Sequence, residues 1–342
     1  MSTPLIEGRG LVRRFSKGLD IAEKLARSLG ATVKDEIVHA VESVDVAVHP
    51  GEVLGVVGES GCGKSTLGRM LAGLLPPTDG TLLWRGKDVR DLSAAERMEM
   101  RLAVQMIFQD PMSSLNPRKR ILDLVGEAPR VHGLIRAGEQ EDYVAGLLAR
   151  VGLDPAYLRR YPHQVSGGQR QRIGIARALA VKPRLIVCDE SVSALDVSVQ
   201  AQVINLFMDL KRDLDLTYVF ISHDLGVVKH VSDRVAIMYL GRVVETAGAD
   251  GFFAAPNHPY TTALLSELPS IHERRRRFAP IRGEIPSPLD PPPGCAFHPR
   301  CPSAMERCRS VLPALRPIAP GHDSACHLND DAPAMARPGN AA

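Results

Sequence analysis

The sequence predicts an α/β fold in which a mostly parallel sheet, covered on both faces, feeds a phosphate-binding loop. Three observations carry that prediction. Residues 53–57, Val-Leu-Gly-Val-Val, form a short and almost wholly apolar run, as a strand buried on both faces should. The run leads directly into Gly58-Glu59-Ser60-Gly61-Cys62-Gly63-Lys64-Ser65-Thr66, which fits GxxxxGK[ST], and a helical pattern begins near Lys64. From residue 166 onward helices and strands alternate: a helix over about 167–180, a strand over 184–189, a helix over about 197–213 and a strand over 217–221.

The remaining elements follow in chain order. Leu-Val-Arg-Arg-Phe at 11–15 reads as an opening strand. Residues 18–36 read as a helical insertion with Leu19, Ala22, Leu25, Ala26 and Leu29 on one face, explained most simply as packing on the nucleotide domain. Residues 40–48 alternate like a half-buried strand, and His49-Pro50-Gly51-Glu52 is a turn. Residues 78–160 are more charged, with loop signals at Pro111 and Pro117, and read as a mostly helical insert; the helical subdomain is placed at about 90–165. Residues 234–246 read as a hairpin. Arg274–Arg277 then form a charge run, and five prolines fall between Pro286 and Pro293. These mark an irregular C-terminal extension. The expected division is a nucleotide-binding domain over 1–250, the extension over 251–330 and a flexible tail over 331–342.

Composition narrows the function classes. The chain has 342 residues, 44% of them hydrophobic, enough for a large core with appended pieces. A net charge of +3 gives no bulk electrostatic argument for nucleic acid. No run of about 18 apolar residues is present to span a bilayer, and the first ten residues lack the apolar core of a signal peptide. Any service to a membrane is therefore expected from its cytoplasmic face, peripherally and through partners. Of the six cysteines, Cys62 and Cys188 lie inside the nucleotide motifs, and Cys295, Cys301, Cys308 and Cys326 cluster near the end. In a reducing cytosol that clustering favours metal over disulfides.

The residue types suit phosphate chemistry. Gly58, Gly61 and Gly63 let the backbone approach phosphate oxygens with N–H groups pointing inward, and the following helix offers its positive end. Lys64 is expected to reach the β- and γ-phosphates, with Ser65 on Mg²⁺ and Thr66 completing the motif. Asp189 ends the strand Ile186-Val187-Cys188, where α/β sheets bind ligands, and suits Mg²⁺ held through water. Glu190, the next residue, is the candidate general base for an attacking water. His223 after Ser222 can orient that water. Gln109 after Phe108 can sense the water or Mg²⁺. Either residue alone is as easily a surface or structural side chain.

Together with Ser166-Gly167-Gly168-Gln169 and Ser193-Ala194-Leu195-Asp196, these motifs resemble the ABC (ATP-binding cassette) ATPases over nearly all of residues 1–250. The resemblance implies a phosphate-loop cassette: a RecA-like core with antiparallel β and helical subdomains. It implies a head-to-tail dimer with two ATPs at its seam. Ser166, Gly167, Gly168 and Gln169 would act on the ATP held by the partner, Asp196 would line the seam, and Gln109 would couple the nucleotide to membrane subunits. Phe15 is the residue expected to stack on adenine, with His39 as the alternative.

Residues 109–118, 161–172, His258–Thr261 and Gly283–Pro288 further resemble the ATPases of oligopeptide/dipeptide importers, to about residue 328. The implied activity is ATP hydrolysis driving import of di- or oligopeptides or related small solutes. The implied partners are a second homologous ATPase or a second copy of this chain, two membrane permeases and an extracytoplasmic binding protein, with no nucleic acid. The four late cysteines, spaced x5, x6 and x17, suit a [4Fe-4S] cluster or Zn²⁺; the lack of CxxC pairs disfavours zinc, the resemblance leans to iron–sulfur, and thiols that merely pack are the alternative. The rival function is a soluble ABC ATPase acting on DNA or ribosomes. Such proteins usually carry a long coiled-coil insertion or two cassettes, and neither is in this sequence.

Overall fold

The computed structural model describes residues 3–16, 36–110, 114–266 and 283–330. The insertion expected at 18–36 (Glu36 apart), the arginine run at 274–277 and the tail at 331–342 lie outside the described residues.

Two sheets organise the chain. In the first, β1 (Ile6–Ser16) pairs antiparallel with β2 (Ile37–Val48) and with β4 (Asp79–Trp84), and β5 (Lys87–Asp88) closes the order β2-β1-β4-β5. Its covered face is legible in β2, where Val44, Val46 and Val48 are buried while the alternate residues Ser43 and Asp45 are exposed. β1 begins five residues before the expected opening strand, and its register is irregular against both neighbours.

The second sheet has eight strands in the order β11-β12-β10-β9-β3-β8-β7-β6. At its centre β3 (Val53–Val57), buried at every position, runs parallel to β8 (Thr217–Ile221) and β9 (Arg234–Tyr239). Beyond β8 lie β7 (Leu185–Asp189) and β6 (Val104–Ile107), also parallel. On the other side β9 turns back into β10 (Arg242–Gly248), the expected hairpin. Helix α1 (Lys64–Leu71) leaves the loop after β3 and buries Leu67, Met70 and Leu71. These join residues of β1, β2 and β4 in one apolar cluster. Each such side chain contributes about 1.5–3 kcal/mol of burial, so the loop is fixed from behind by core packing.

The stretch 78–160 is not the mostly helical insert that its composition suggests. It opens with β4 and β5, continues through α2 (Ala94–Ala103), capped by a reciprocal Ser93–Glu96 box, and then supplies β6 to the main sheet. Four residues are too few to show a period of their own; β6 is a strand because Val104 to Ile107 pair with Leu185 to Cys188. The helical layer proper is α3 (Ile121–Val131), α4 (Gln140–Arg150) and α5 (Gly167–Leu179). Val125, Val144, Leu148 and Ile173 are buried there in a cluster that also takes in α6 (Val197–Leu214).

The extension is likewise less irregular than its prolines imply. After α7 (Leu225–Val231), α8 (Ala249–Ala254) and α9 (Pro259–Ser266), β11 (Arg316–Ala319) and β12 (His322–Ser324) return to the main sheet, β12 against β10. A third core forms between sheet and extension, with Tyr239, Phe252, Tyr260 and Phe297 all buried. Glu245 is fully buried within β10 and satisfied there. It accepts the N–H groups of Asn257 (2.8 Å) and His258 (2.9 Å), and its Oε1 lies 2.6 Å from His322 Nε2. Burial pushes its acidity down, but those bonds outweigh it and hold the carboxyl below the usual range.

Candidate active site

The loop after β3 is shaped by close approaches. Gly63 sits at φ 102°, and a side chain there would strike the Ala40 carbonyl. Lys64, 3% exposed, curls back so that Nζ donates to the carbonyls of Gly58 (2.8 Å) and Glu59 (2.9 Å). The Ser65 hydroxyl donates to Asp189 Oδ1 at 2.7 Å. Burial raises the Asp189 carboxyl's pKa, against the pull of Ser65, Arg69 and Lys64. An Mg²⁺ ion suits this donor set. A hydroxyl and a buried carboxylate side by side are hard oxygen donors of the kind that ion takes.

Glu190 follows at a left-handed φ of 45°, its N–H tied to the Ile221 carbonyl at 3.0 Å. That turn carries its side chain out of the β7 direction and into the cavity above the loop. Gln109 Nε2 donates to Glu190 Oε2 at 3.0 Å. His223 Nδ1 lies 3.4 Å from the same oxygen, and the His223 side chain is about half exposed. Three side chains from the ends of β6, β7 and β8 thus meet at one carboxylate beside the phosphate loop, which is the layout that water activation needs.

The cavity, of about 410 Å³, is lined by Ser60, Gly61, Gly63, Lys64, Ser65, Thr66, Gln109 and Glu190, with Phe15, Val38, Ala40 and Pro288 at its apolar end. Gly58, Glu59 and Cys62 do not line it. Cys62 is buried, and that burial pushes its thiol's pKa up. Phe15 lines the apolar end with the Arg13 guanidinium 4.7 Å from its ring centre. The His39 ring is engaged elsewhere, with Nδ1 2.7 Å from Glu42 Oε1. Pro288 is a lining residue that the sequence did not single out for the site. Its carbonyl accepts the His39 N–H at 3.0 Å, bringing the extension to the apolar end of the cavity.

Ser166, Gly167, Gly168, Gln169 and Asp196 are not in this cavity. They line a second concavity together with Leu153, Arg172 and Val199. Ser166 caps α5: its hydroxyl accepts the Gln169 N–H, and Gln169 Oε1 accepts the Ser166 N–H at 2.9 Å. Gly168 lies so close to α6 that a Cβ would stand 2.6 Å from Val199 Cγ1, whereas Gly167 faces open space. The second concavity is a helix N-terminus with exposed backbone donors, suited to an anion, and no phosphate loop of its own.

The extension touches the loop from behind. Arg300 grips the Glu59 carboxylate, and the Tyr260 hydroxyl accepts the Glu59 N–H. The four late cysteines lie near one another: Cys295 N–H donates to the Cys308 carbonyl at 2.8 Å. Burial, with smaller pushes from neighbouring thiols, raises the pKa of Cys295 and Cys301, and of Cys326 to about 11. A chelating set is not formed by them as they stand. Among the described residues no three His, Cys, Asp or Glu side chains are arranged to hold a metal ion.

The family profile described as ABC transporter matches residues 41–193, and that of the oligopeptide/dipeptide transporter, C-terminal region, matches 244–308. The chain is 51% identical over 295 residues to the oligopeptide transport ATP-binding protein AppF of Bacillus subtilis, covering 85% of this chain and 90% of that one. It is 50% identical over 280 residues to the oligopeptide transport ATP-binding protein OppF of Salmonella typhimurium, covering 81% and 84%. Over 291 residues it is 50% identical to the di/tripeptide transport ATP-binding protein DppF of Pseudomonas aeruginosa, covering 85% and 90%. Among solved structures it is similar to a dimeric ATP-binding cassette in a post-hydrolysis state bound to ADP and Pi. That likeness has a TM-score of 0.60 at 25% identity and covers 71% of this chain and 98% of that one.

Proposed function

The chain belongs to the ATP-binding proteins of ABC transporters, in the oligopeptide/dipeptide branch, and from that premise we propose that it powers the import of peptides or related small solutes. It is an ATPase that uses ATP with Mg²⁺. The catalytic assignment is carried by one observation, the meeting of Gln109 and His223 at the Glu190 carboxylate beside the phosphate loop.

In the proposed mechanism Lys64 and the loop N–H groups take the β- and γ-phosphates, and adenine stacks on Phe15 at the apolar end. Ser65, Asp189 and Gln109 would hold Mg²⁺, and the ion would supply neutralisation of charge on the phosphates. Glu190 takes a proton from the attacking water, and His223 orients that water and the γ-phosphate. Two of the three Lys64 Nζ protons go to Gly58 O and Glu59 O, which leaves the third for a phosphate. Ser166, Gly168 and Gln169 of one protomer close over the ATP of its partner, with Asp196 at the seam. Support for this is their concavity, which offers helix N-terminal donors and lacks a phosphate loop.

Peptide import rests on the C-terminal match and on relatives whose names give peptide transport. We assign the chain to the cytoplasmic face of the inner membrane, beside a second ATPase, two permeases and an extracytoplasmic binding protein. A soluble ABC ATPase acting on DNA or ribosomes has no use for the extension matched at 244–308. Affinity purification from detergent-solubilised native membranes tests the assignment. Two multi-spanning permeases and a second ATPase should come with the chain; recovery with ribosomes or DNA proteins instead would overturn it.

We also infer that Cys295, Cys301, Cys308 and Cys326 take up a [4Fe-4S] cluster or Zn²⁺. Their nearness supports this, and so do the short 3₁₀ turns beside them, which a metal would staple. Loading requires the thiols to lose protons and draw together. Chain purified without oxygen that contains neither iron nor zinc would end this reading.

A further inference from the structure

We propose that the C-terminal extension sets the phosphate loop, with Arg300 and Tyr260 as positioning residues that act on Lys64 through Glu59. The inference rests on the reading of residues 58–66 as the phosphate site and identifies what holds that site in shape.

Three contacts converge on Glu59. Its carboxylate takes two parallel bonds from the Arg300 guanidinium, Nη1 to Oε2 at 2.7 Å and Nη2 to Oε1 at 2.9 Å. Its N–H donates to the Tyr260 hydroxyl at 2.9 Å. Its carbonyl is one of the two that accept from Lys64 Nζ. A two-point fork fixes the plane and the place of a carboxylate, which a single contact does not. The Arg300 side chain is only 5% exposed, so salt and water weaken the pair little.

The clamp is anchored in the third core rather than in solvent. The Tyr260 ring packs on Tyr239 and Phe297, and the Tyr260 N–H donates to His258 Nδ1 at 3.1 Å. The start of α9 hangs on the buried Glu245 through the N–H groups of Asn257 and His258. Arg300 closes the short 3₁₀ turn His298–Arg300, one residue before Cys301. Glu59 stands between Gly58 and Gly61, so without the clamp its backbone would sample many shapes. Few of those aim the loop's N–H groups and Lys64 inward. Holding the loop in advance removes an ordering cost from nucleotide binding, so losing the clamp should weaken binding more than it slows the chemical step.

The test measures Kd for a fluorescent ATP analogue with Mg²⁺, steady-state KM and kcat, and Tm, on the full chain. Arg300→Met should raise Kd and KM about tenfold, as for loss of a charge-assisted bond, with kcat little changed. Arg300→Lys should recover part of that loss. Tyr260→Phe, which removes one oxygen, should raise Kd a few-fold and carries the test if Arg300→Met does not fold. Adding Glu59→Gln to Arg300→Met should add little, because both break the same contact. Unchanged Kd and KM in Arg300→Met and Tyr260→Phe, with only Tm lowered, would overturn the proposal. Lys64→Ala separates the two readings. If the wild type binds no Mg-ATP, or Lys64→Ala binds it equally well, the phosphate-site reading fails and the inference falls with it. If Lys64→Ala loses binding while the clamp variants keep it, the inference alone fails.

Discussion

Glu190 combines a strained backbone with a shared carboxylate, and both are tied to its proposed task. A left-handed φ is uncommon for a residue with a side chain and persists only where the surroundings hold it; here the bond to Ile221 O does so. Glu190→Gln keeps the shape and the hydrogen-bonding partners but removes the base. Turnover should fall on the order of 10²–10⁴-fold while ATP binding remains, and full activity in that variant would refute the assignment. His258 supports a pH prediction. Burial depresses its pKa to about 4, against the pull of Glu245, so the folded chain holds it neutral. Below its unfolded pKa of about 6.5 the unfolded state binds more protons, and stability therefore rises with pH. The contribution is whole above about pH 6.5 and is lost as pH falls toward 4, to a total of about 3 kcal/mol. Denaturant titrations from pH 4 to 7 should show this slope in the wild type and a shallower one in His258→Asn. At this scale the nucleotide motifs were legible because their residues sit close together in the chain. Arg300 and Pro288 were not legible as loop and cavity residues, because no local pattern records a contact across some 240 positions.

The helix α5 shows how an element is fitted to its neighbour. In most helices Gly→Ala gains about 0.8–1 kcal/mol. At Gly168 the added methyl would meet Val199, and overpacking of that kind typically costs about 1–3 kcal/mol. Gly168→Ala should therefore lower Tm and ATPase activity, and Val199→Ala in the same chain should restore much of both. No recovery would mean that Gly168 is needed for its backbone alone. Short strands were the elements that sequence reading missed. β3 and β7 declared themselves as unbroken apolar runs. β6 at four residues and β12 at three become strands only through their partners, so composition alone assigned them to a helical insert and to an irregular extension.

At the scale of the whole molecule, the phosphate cavity and the Ser166–Gln169 concavity share no lining residue. If each ATP needs one of each, from two protomers, a lone chain holds two halves and no complete site. Specific ATPase activity of the isolated chain should then rise with protein concentration, and Glu190→Gln should elute as a dimer in ATP and as a monomer in ADP. Activity independent of concentration would count against the shared site. The cassette portion was readable at this scale because its motif order is diagnostic. The extension was readable by its motifs, as the match at 244–308 bears out, but its place was not, since that comes from folding back onto the sheet and the loop rather than standing apart from them.

That folding back has a consequence in time. The phosphate loop leaves the ribosome early, but the strands on either side of β3 lie some 160–180 residues downstream, and the arginine that clamps Glu59 lies 241 residues after it. At synthesis rates of about 5–20 residues per second, the loop waits roughly ten to fifty seconds for its last support. During that interval a nascent chain carries the full nucleotide motif yet should hold nucleotide poorly. A chain released before residue 300 would then be an ATP binder in sequence only, and nucleotide affinity along a series of stalled chains should step upward once Arg300 clears the exit tunnel.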